Sequence, residues 1–204
     1  VVMWLKAEMR LMLDEEIARA CLIGDGRSAL DKDKIKEEHI SPIYTDAVIY
    51  SHKVQLANDT TGLDELEAIK KSRKYYKGSG KPTLYTTIDK VNEWTLLKDG
   101  NLHYRFRSAA EVAVFIGVRK IVEVEVMEGV QRDVEAVAHG LIGIMVNPRD
   151  YSSGADKGGR LGMFNQFDID FNQEKYLIET RMCGCLNKIR SAVVIEKDLT
   201  VEVG

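Results

Sequence analysis

Near its C-terminal end the chain reads Y-L-I-E-T-R-M-C-G-C-L, residues 176–186, which places two of its three cysteines, Cys183 and Cys185, one residue apart. Thiolates serve as nucleophiles, redox partners and soft metal ligands, so this pair is the first place where chemistry is expected. A dithiol redox centre ordinarily has two intervening residues, and a structural zinc site needs four ligands, whereas only Cys21 remains to help. On a strand, residues two apart face the same way, and a free cysteine also packs as a small hydrophobe. The spacing favours packing over sulfur chemistry. A small metal- or redox-dependent enzyme built on Cys21, Cys183 and Cys185 is the remote alternative.

Three other patterns invite a chemical reading. G-S-G-K-P at 78–82 resembles a phosphate loop, but the pattern needs a glycine where Tyr75 stands and a hydroxyl residue where Pro82 stands, and it follows a helical segment instead of a strand. It reads as a helix stop and turn. Asp168, Asp170, Asn172 and Glu179 fall at positions 1, 3, 5 and 12 of a calcium loop, yet Gln173 occupies the sharp-turn glycine position and Lys175 an apolar one. Carboxylates at every second residue are also what the wet face of a strand looks like. His39, His52, His103 and His139 lie far apart with no metal-binding spacing, and no G-x-S-x-G nucleophile elbow is present. Neither a catalytic residue, a cofactor, a metal site nor a small-molecule substrate is assigned.

The elements that must position these residues are read from periodicity. Leu5, Met9, Met12, Leu13, Ile17 and Ala20 recur at helical spacing, which predicts an amphipathic helix of about five turns stopped by Gly24-Asp25-Gly26. Residues 31–39 are so charged that they read as a solvated loop or short exposed helix. A second helix is expected over 63–76, then a strand in K-P-T-L-Y-T-T, then a helix capped by Thr87 and carrying Ile88, Val91, Trp94 and Leu97. Ser108-Ala109-Ala110-Glu111 reads as a capping box opening a helix that ends at Gly117. Beyond it the chain is β in character. Val122, Val124 and Val126 alternate with glutamates, 141–146 is wholly apolar, and Phe167, Ile169 and Phe171 alternate with Asp168, Asp170 and Asn172. Segments 176–182 and 192–196 are expected to close a terminal hairpin or meander.

With 204 residues, 45% hydrophobic and 30% charged, the chain has the profile of a globular protein able to bury a real core. No apolar run approaches the length a membrane crossing needs. An odd cysteine count without framework spacing points to a reducing setting. The net charge of -3 supplies no overall basic field, so any nucleic-acid contact is expected to be local. The opening Val1-Val2-Met3-Trp4 runs straight into the helical pattern without leader or cap, which reads as a fragment lacking N-terminal sequence.

The C-terminal third carries a resemblance. G-A-D-K-G-G at 154–159, then F-D-I-D-F-N-Q-E-K-Y-L-I-E-T-R-M-C-G-C-L at 167–186, then S-A-V-V-I-E at 191–196 resemble the end of tailed-bacteriophage major capsid proteins of the Hong Kong 97-type fold. In that family a polar opener leads to a long strand with an E-x-R step, a small-residue turn and an alanine-led closing strand. Gly154, Asp156, Lys157, Gly158, Gly159, Glu179, Arg181, Gly184 and Ala192 occupy those structural positions here. The first helix and its G-D-G exit resemble the family's spine helix.

What the resemblance implies is an α+β shell subunit. Residues 1–40 and 161–190 are expected to form a peripheral domain of spine helix and long strands, 41–160 an axial domain, and 191–204 a closing strand that returns to it. Pentamers and hexamers of such subunits tile an icosahedral head that encloses a DNA genome. Implied partners are other copies, scaffold or head-maturation proteins and, weakly and without sequence preference, packaged DNA; no membrane is implied. The implied location is the virion, with assembly in the host bacterial cytoplasm. Against that pattern, the N-terminal arm and extended loop that precede the family's spine helix are expected to be missing from this sequence. An encapsulin-like compartment shell, which shares the fold, is the alternative.

Overall fold

The structure, a computed structural model, describes residues 2–24, 27, 30, 32, 39–134, 137–155 and 162–199. The chain divides into two compact units, residues 1–42 with 152–185 and residues 43–151 with 186–204. The divisions thus fall at 42, 151 and 185, where the sequence reading placed 40, 160 and 190.

The larger unit is built on a six-stranded sheet. Its strands are β1 (Ser51–Leu56), β2 (Thr83–Thr86), β3 (Ile121–Glu123), β4 (Gln131–Val134), β5 (Val137–Val146) and β10 (Ala192–Asp198). Their order is β1-β10-β5-β2-β3, with β4 also pairing β5. β10 is central, parallel to β1 and antiparallel to β5, and its residues Ala192–Ile195 are wholly buried. A strand covered on both faces needs apolar side chains on both, which is why A-V-V-I shows no alternation. The expected terminal hairpin is therefore not formed, because the closing strand inserts between β1 and β5 instead of folding back on its sequence neighbour.

Three helices, α2 (Gly62–Ser72), α3 (Ile88–Thr95) and α4 (Ala109–Ile116), pack on the sheet. Leu66, Ile69, Trp94, Val112 and Ile116 from the helices meet Leu84, Met145, Val193 and Ile195 from the strands in one core. α2 ends at Ser72 and tightens into a 3₁₀ turn over Arg73–Tyr75, short of the expected Tyr76. The predicted capping box does not form, because Glu111 reaches back to the N–H of the residue before the cap, not to that of Ser108. Ser108 makes no side-chain cap bond, while the Glu111 carboxylate accepts the Arg107 N–H at 2.8 Å. The V-E-V-E-V alternation also overstates β3, which stops at Glu123 because Glu125–Met127 turn into a 3₁₀ helix that buries Met127.

Strand polarity sorts the connecting loops between the two ends of this sheet. β2 and β3 run parallel to each other and antiparallel to β5, as does β10 with β1 beside it. Hence β1, β2, β3 and β10 all begin at the end of the sheet where β5 finishes.

The smaller unit contains α1 (Val2–Leu22), a pair of strands β6 (Tyr151–Ala155) and β9 (Met182–Leu186), and a hairpin of β7 (Gly162–Asp168) and β8 (Gln173–Glu179). Gly24, at φ +91°, closes α1 by donating its N–H to the Arg19 carbonyl, a left-handed exit that glycine supplies without strain. Asp25 and Gly26 of the predicted stop, and most of the charged loop after it, lie outside the described residues. α1 is not cleanly amphipathic. Leu5, Met9, Leu13 and Ile17 are half-buried, but Met3, Trp4, Leu11 and Met12 are exposed on its other side.

Candidate functional site

β9 settles the cysteine question against packing. Gly184 and Leu186 point inward and are buried, whereas Cys183 and Cys185 share the outward face and are exposed. Nor is Gly184 at a turn. It sits mid-strand, donating its N–H to the His39 carbonyl at 2.9 Å and accepting the Ser41 N–H at 2.8 Å, so the segment 39–41 lies along β9. Alternation puts the glycine inside and the thiols outside, the reverse of the expectation. Cys183 Sγ reaches across to Gly154 on β6, within 3.0 Å of where a Cβ there would stand.

Of the other motif positions, Glu179 ends β8 opposite Gly162, and Arg181 is exposed between β8 and β9. Ala192 lies in the larger unit, fully buried between Ser51 and Val146. Asp156, Lys157, Gly158 and Gly159 lie outside the described residues. An open groove of about 990 Å³ runs between α1 (Leu13, Ile17) and β6 with β9 (Ala155, Met182), with Glu16 and Arg181 at its rim.

The strand reading of F-D-I-D-F-N is corrected. Phe167 and Asp168 end β7, but Ile169–Asn172 are the hairpin turn, with Asn172 at φ +49°. Asp168 is paired with Lys175 and accepts the Asp170 N–H, so the candidate calcium carboxylate is held by a lysine. Among the described residues no group of three potential ligands comes together. The hairpin is apolar on exposed positions: Phe164 (56% exposed), Phe167 (55%), Ile169 (82%), Phe171 (73%) and Leu177 (55%). One face of β8 lies against α1, where Tyr176 and Ile178 are half-buried and Lys6 sits over the Tyr176 ring. A two-stranded ribbon with the rest of its apolar side chains exposed is marginal in water, and such a patch marks a surface that another molecule covers.

The G-S-G-K-P loop wraps a carboxylate of its own chain. Asp150, 1% exposed, accepts the Ser79 N–H at 2.5 Å and lies 3.3 Å from Lys188 Nζ. Burial pushes this carboxyl up, but the Ser79 and Lys188 contacts outweigh it and hold it below the usual carboxylate range. Gly78 is required by the close approach, since a Cβ would stand 2.5 Å from Tyr76 Oη. The loop's donor is thus already occupied by an anion.

Around it gathers a feature that the net charge concealed. Four loops meet at the end of the sheet where β1, β2, β3 and β10 begin: 73–82, 117–120, 147–150 and 187–190. Backbone bonds stitch them together, Lys77 N–H to Arg190 O, Arg119 N–H to Pro82 O, and Asn187 N–H to Asp150 O. They carry nine cations and one carboxylate, the buried Asp150. The cations are Arg73, Lys74, Lys77 and Lys81, then Arg119 and Lys120, then Arg149, then Lys188 and Arg190. All but Arg73 are exposed. The field is felt by His52, whose imidazolium is disfavoured first by burial and then by Arg190 and Lys53.

No protein-family model and no curated protein matches the chain. Solved structures do. The capsid of an empty GTA particle, computed with C5 symmetry, superposes on 97% of this chain with a TM-score of 0.64 at 13% sequence identity. The chain has the fold of a phage capsid protein. The capsid of the native GTA particle matches over 97% of the chain with a TM-score of 0.58 at 11% identity. A phage-related protein from Bordetella bronchiseptica RB50 matches over 95% with a TM-score of 0.50 at 13% identity. The chain spans 66%, 65% and 64% of those three chains. The α+β capsid fold expected from the C-terminal motifs is therefore the fold observed.

Proposed function

We propose that the protein is a structural subunit of an icosahedral phage head, which self-assembles through pentamers and hexamers into the shell around the DNA genome. The observation that carries this reading is the superposition on a capsid over 97% of the chain. The exposed apolar side chains of β7, β8 and their turn support it, because a shell subunit presents surface that only its neighbours cover. On this reading the smaller unit is the peripheral domain and the larger one the axial domain. The motif glycines, Glu179, Arg181 and Ala192 then act as shape-determining positions without chemistry. Scaffold or maturation proteins and packaged DNA are its other partners, and the virion is its location. Expression of the complete gene product, followed by negative-stain microscopy and light scattering, tests the proposal. Hollow isometric particles or five- and six-fold rings are the expected result. A small species that stays monomeric under all assembly conditions overturns it.

A further inference from the structure

The two ends of the large sheet carry opposite charge. Opposite the basic loops lie the ends of β1, β2, β3 and β10 and the start of β5. Asp59, Asp89, Glu123, Glu125, Glu128 and Asp133 are exposed there. Of the cations near this end, Lys90 and Arg132 are each held by a buried carboxylate, Glu65 and Glu196, Lys197 is half-buried on β10, and Arg105, beside Leu63 at the start of α2, and Arg107, before α4, are exposed. The larger unit is a charge dipole along its strands, though the chain as a whole is nearly neutral.

The basic end also has an apolar centre. The loop before β1 exposes Val48 (59%) and Ile49 (55%), and the Arg190 N–H donates to the Ile49 carbonyl, which brings Ile189 (58%) beside them. The one carboxylate of that loop, Asp46, caps the Ala47 N–H. The acidic end has exposed apolar neighbours of its own in Ile88 and Leu199. A phosphodiester backbone is bound by basic side chains without apolar contact, whereas an apolar centre rimmed by charge is the anatomy of a protein interface.

We propose that the basic end of the larger unit of one copy docks on the acidic end of the larger unit in the next copy. The contact is head-to-tail, two different surfaces of the same chain, and repetition of such a contact closes a ring when the rotation per step allows it. Exposed pairs add little affinity each, and their contribution is to fix register and to exclude like ends from meeting. This rests on the shell-subunit reading and adds the surfaces by which copies meet.

The test is a charge swap in the complete gene product. One variant reverses the basic end (Lys77→Glu, Lys81→Glu, Lys120→Glu), a second reverses the acidic end (Asp59→Lys, Glu125→Lys, Glu128→Lys), and a third carries all six changes. Every position is exposed, and circular dichroism checks that each variant folds. Assembly is read by sedimentation velocity and microscopy. Each three-fold variant is expected to lose rings and shells, the six-fold variant to regain them, and an equimolar mixture of the two three-fold variants not to reproduce the parent particle. Rings retained in both three-fold variants overturn the proposal while leaving the shell reading intact. Shells that form normally in the first variant but lose DNA assign the basic end to nucleic acid and overturn it as well. Absence of any multimer from the parent protein overturns the shell reading and this proposal together.

Discussion

Glu196 offers the sharpest single test of the structure. Its side chain is fully buried on the central strand β10, at a register shift after Ile195, and Arg132 of β4 grips it with Nε at 2.5 Å and a second nitrogen at 2.7 Å. Arg132 lies 5.8 Å from the Tyr44 ring centroid, and burial, then the Glu196 charge, push the Tyr44 hydroxyl above its ordinary range. Replacing Arg132 by methionine leaves a buried carboxylate without its cation, a change that costs about 3–5 kcal/mol when both partners are enclosed. Arg132 is itself 30% exposed, so the lower end, about 3 kcal/mol or two orders of magnitude in the folding constant, is expected. The pair itself contributes far less. Arg132→Met with Glu196→Leu should return to within about 1 kcal/mol of the parent, because an apolar pair needs no desolvation. Urea denaturation of the unassembled subunit reads both, with Trp4→Phe leaving the buried Trp94 as sole tryptophan fluorophore in the larger unit. An Arg132→Met variant within about 0.5 kcal/mol of the parent would refute the reasoning, as would a double variant no better than the single one.

Asp150→Asn should weaken the larger unit by about 1–3 kcal/mol at neutral pH, through loss of the charged acceptor for Ser79 and Lys188. Because that carboxyl is held below its unfolded value, its contribution is complete above about pH 4 and fades as pH falls, so the variant should show a shallower acid limb in urea titrations. Gly143→Ala places a Cβ 3.0 Å from the Tyr85 carbonyl oxygen and 3.0 Å from Leu84 Cδ1, and should lower stability by about 1–3 kcal/mol; an unchanged urea midpoint would contradict the packing of β5 on β2. Gly117→Ala forces a methyl into a φ of +86° beneath the Arg73 guanidinium and should cost about 1–2 kcal/mol, with Asn costing less. Cys183 and Cys185 should both react with N-ethylmaleimide in the native unassembled subunit at rates near those of the unfolded chain, and protection of either would restore the packing reading.

Much of this was legible in sequence. The three helices on the sheet declared themselves by apolar spacing, and β5 by an unbroken apolar run that only a doubly covered strand tolerates. The misreadings share a cause, which is that alternation records side-chain phase without recording where the backbone turns. D-I-D-F-N alternates straight through a hairpin turn, and the single local sign was Asn172, a residue that accepts positive φ. On β9 the inward residue is glycine, so the expectation that the cysteines pack as small hydrophobes placed them on the wrong face. The basic end could not be seen as a unit, since its cations come from four segments that only the strand order brings together. R-K-Y-Y-K at 73–77 was the longest part of it written contiguously.

The most direct test of the shell-subunit reading is a cryo-EM reconstruction of the particles formed by the complete gene product. That reading predicts a closed icosahedral shell whose repeating density takes this fold, with the hairpin turn at Ile169–Asn172 covered by a neighbouring copy. A reconstruction in which Ile169 and Phe171 face solvent, or a preparation with no multimer of any kind, would contradict it.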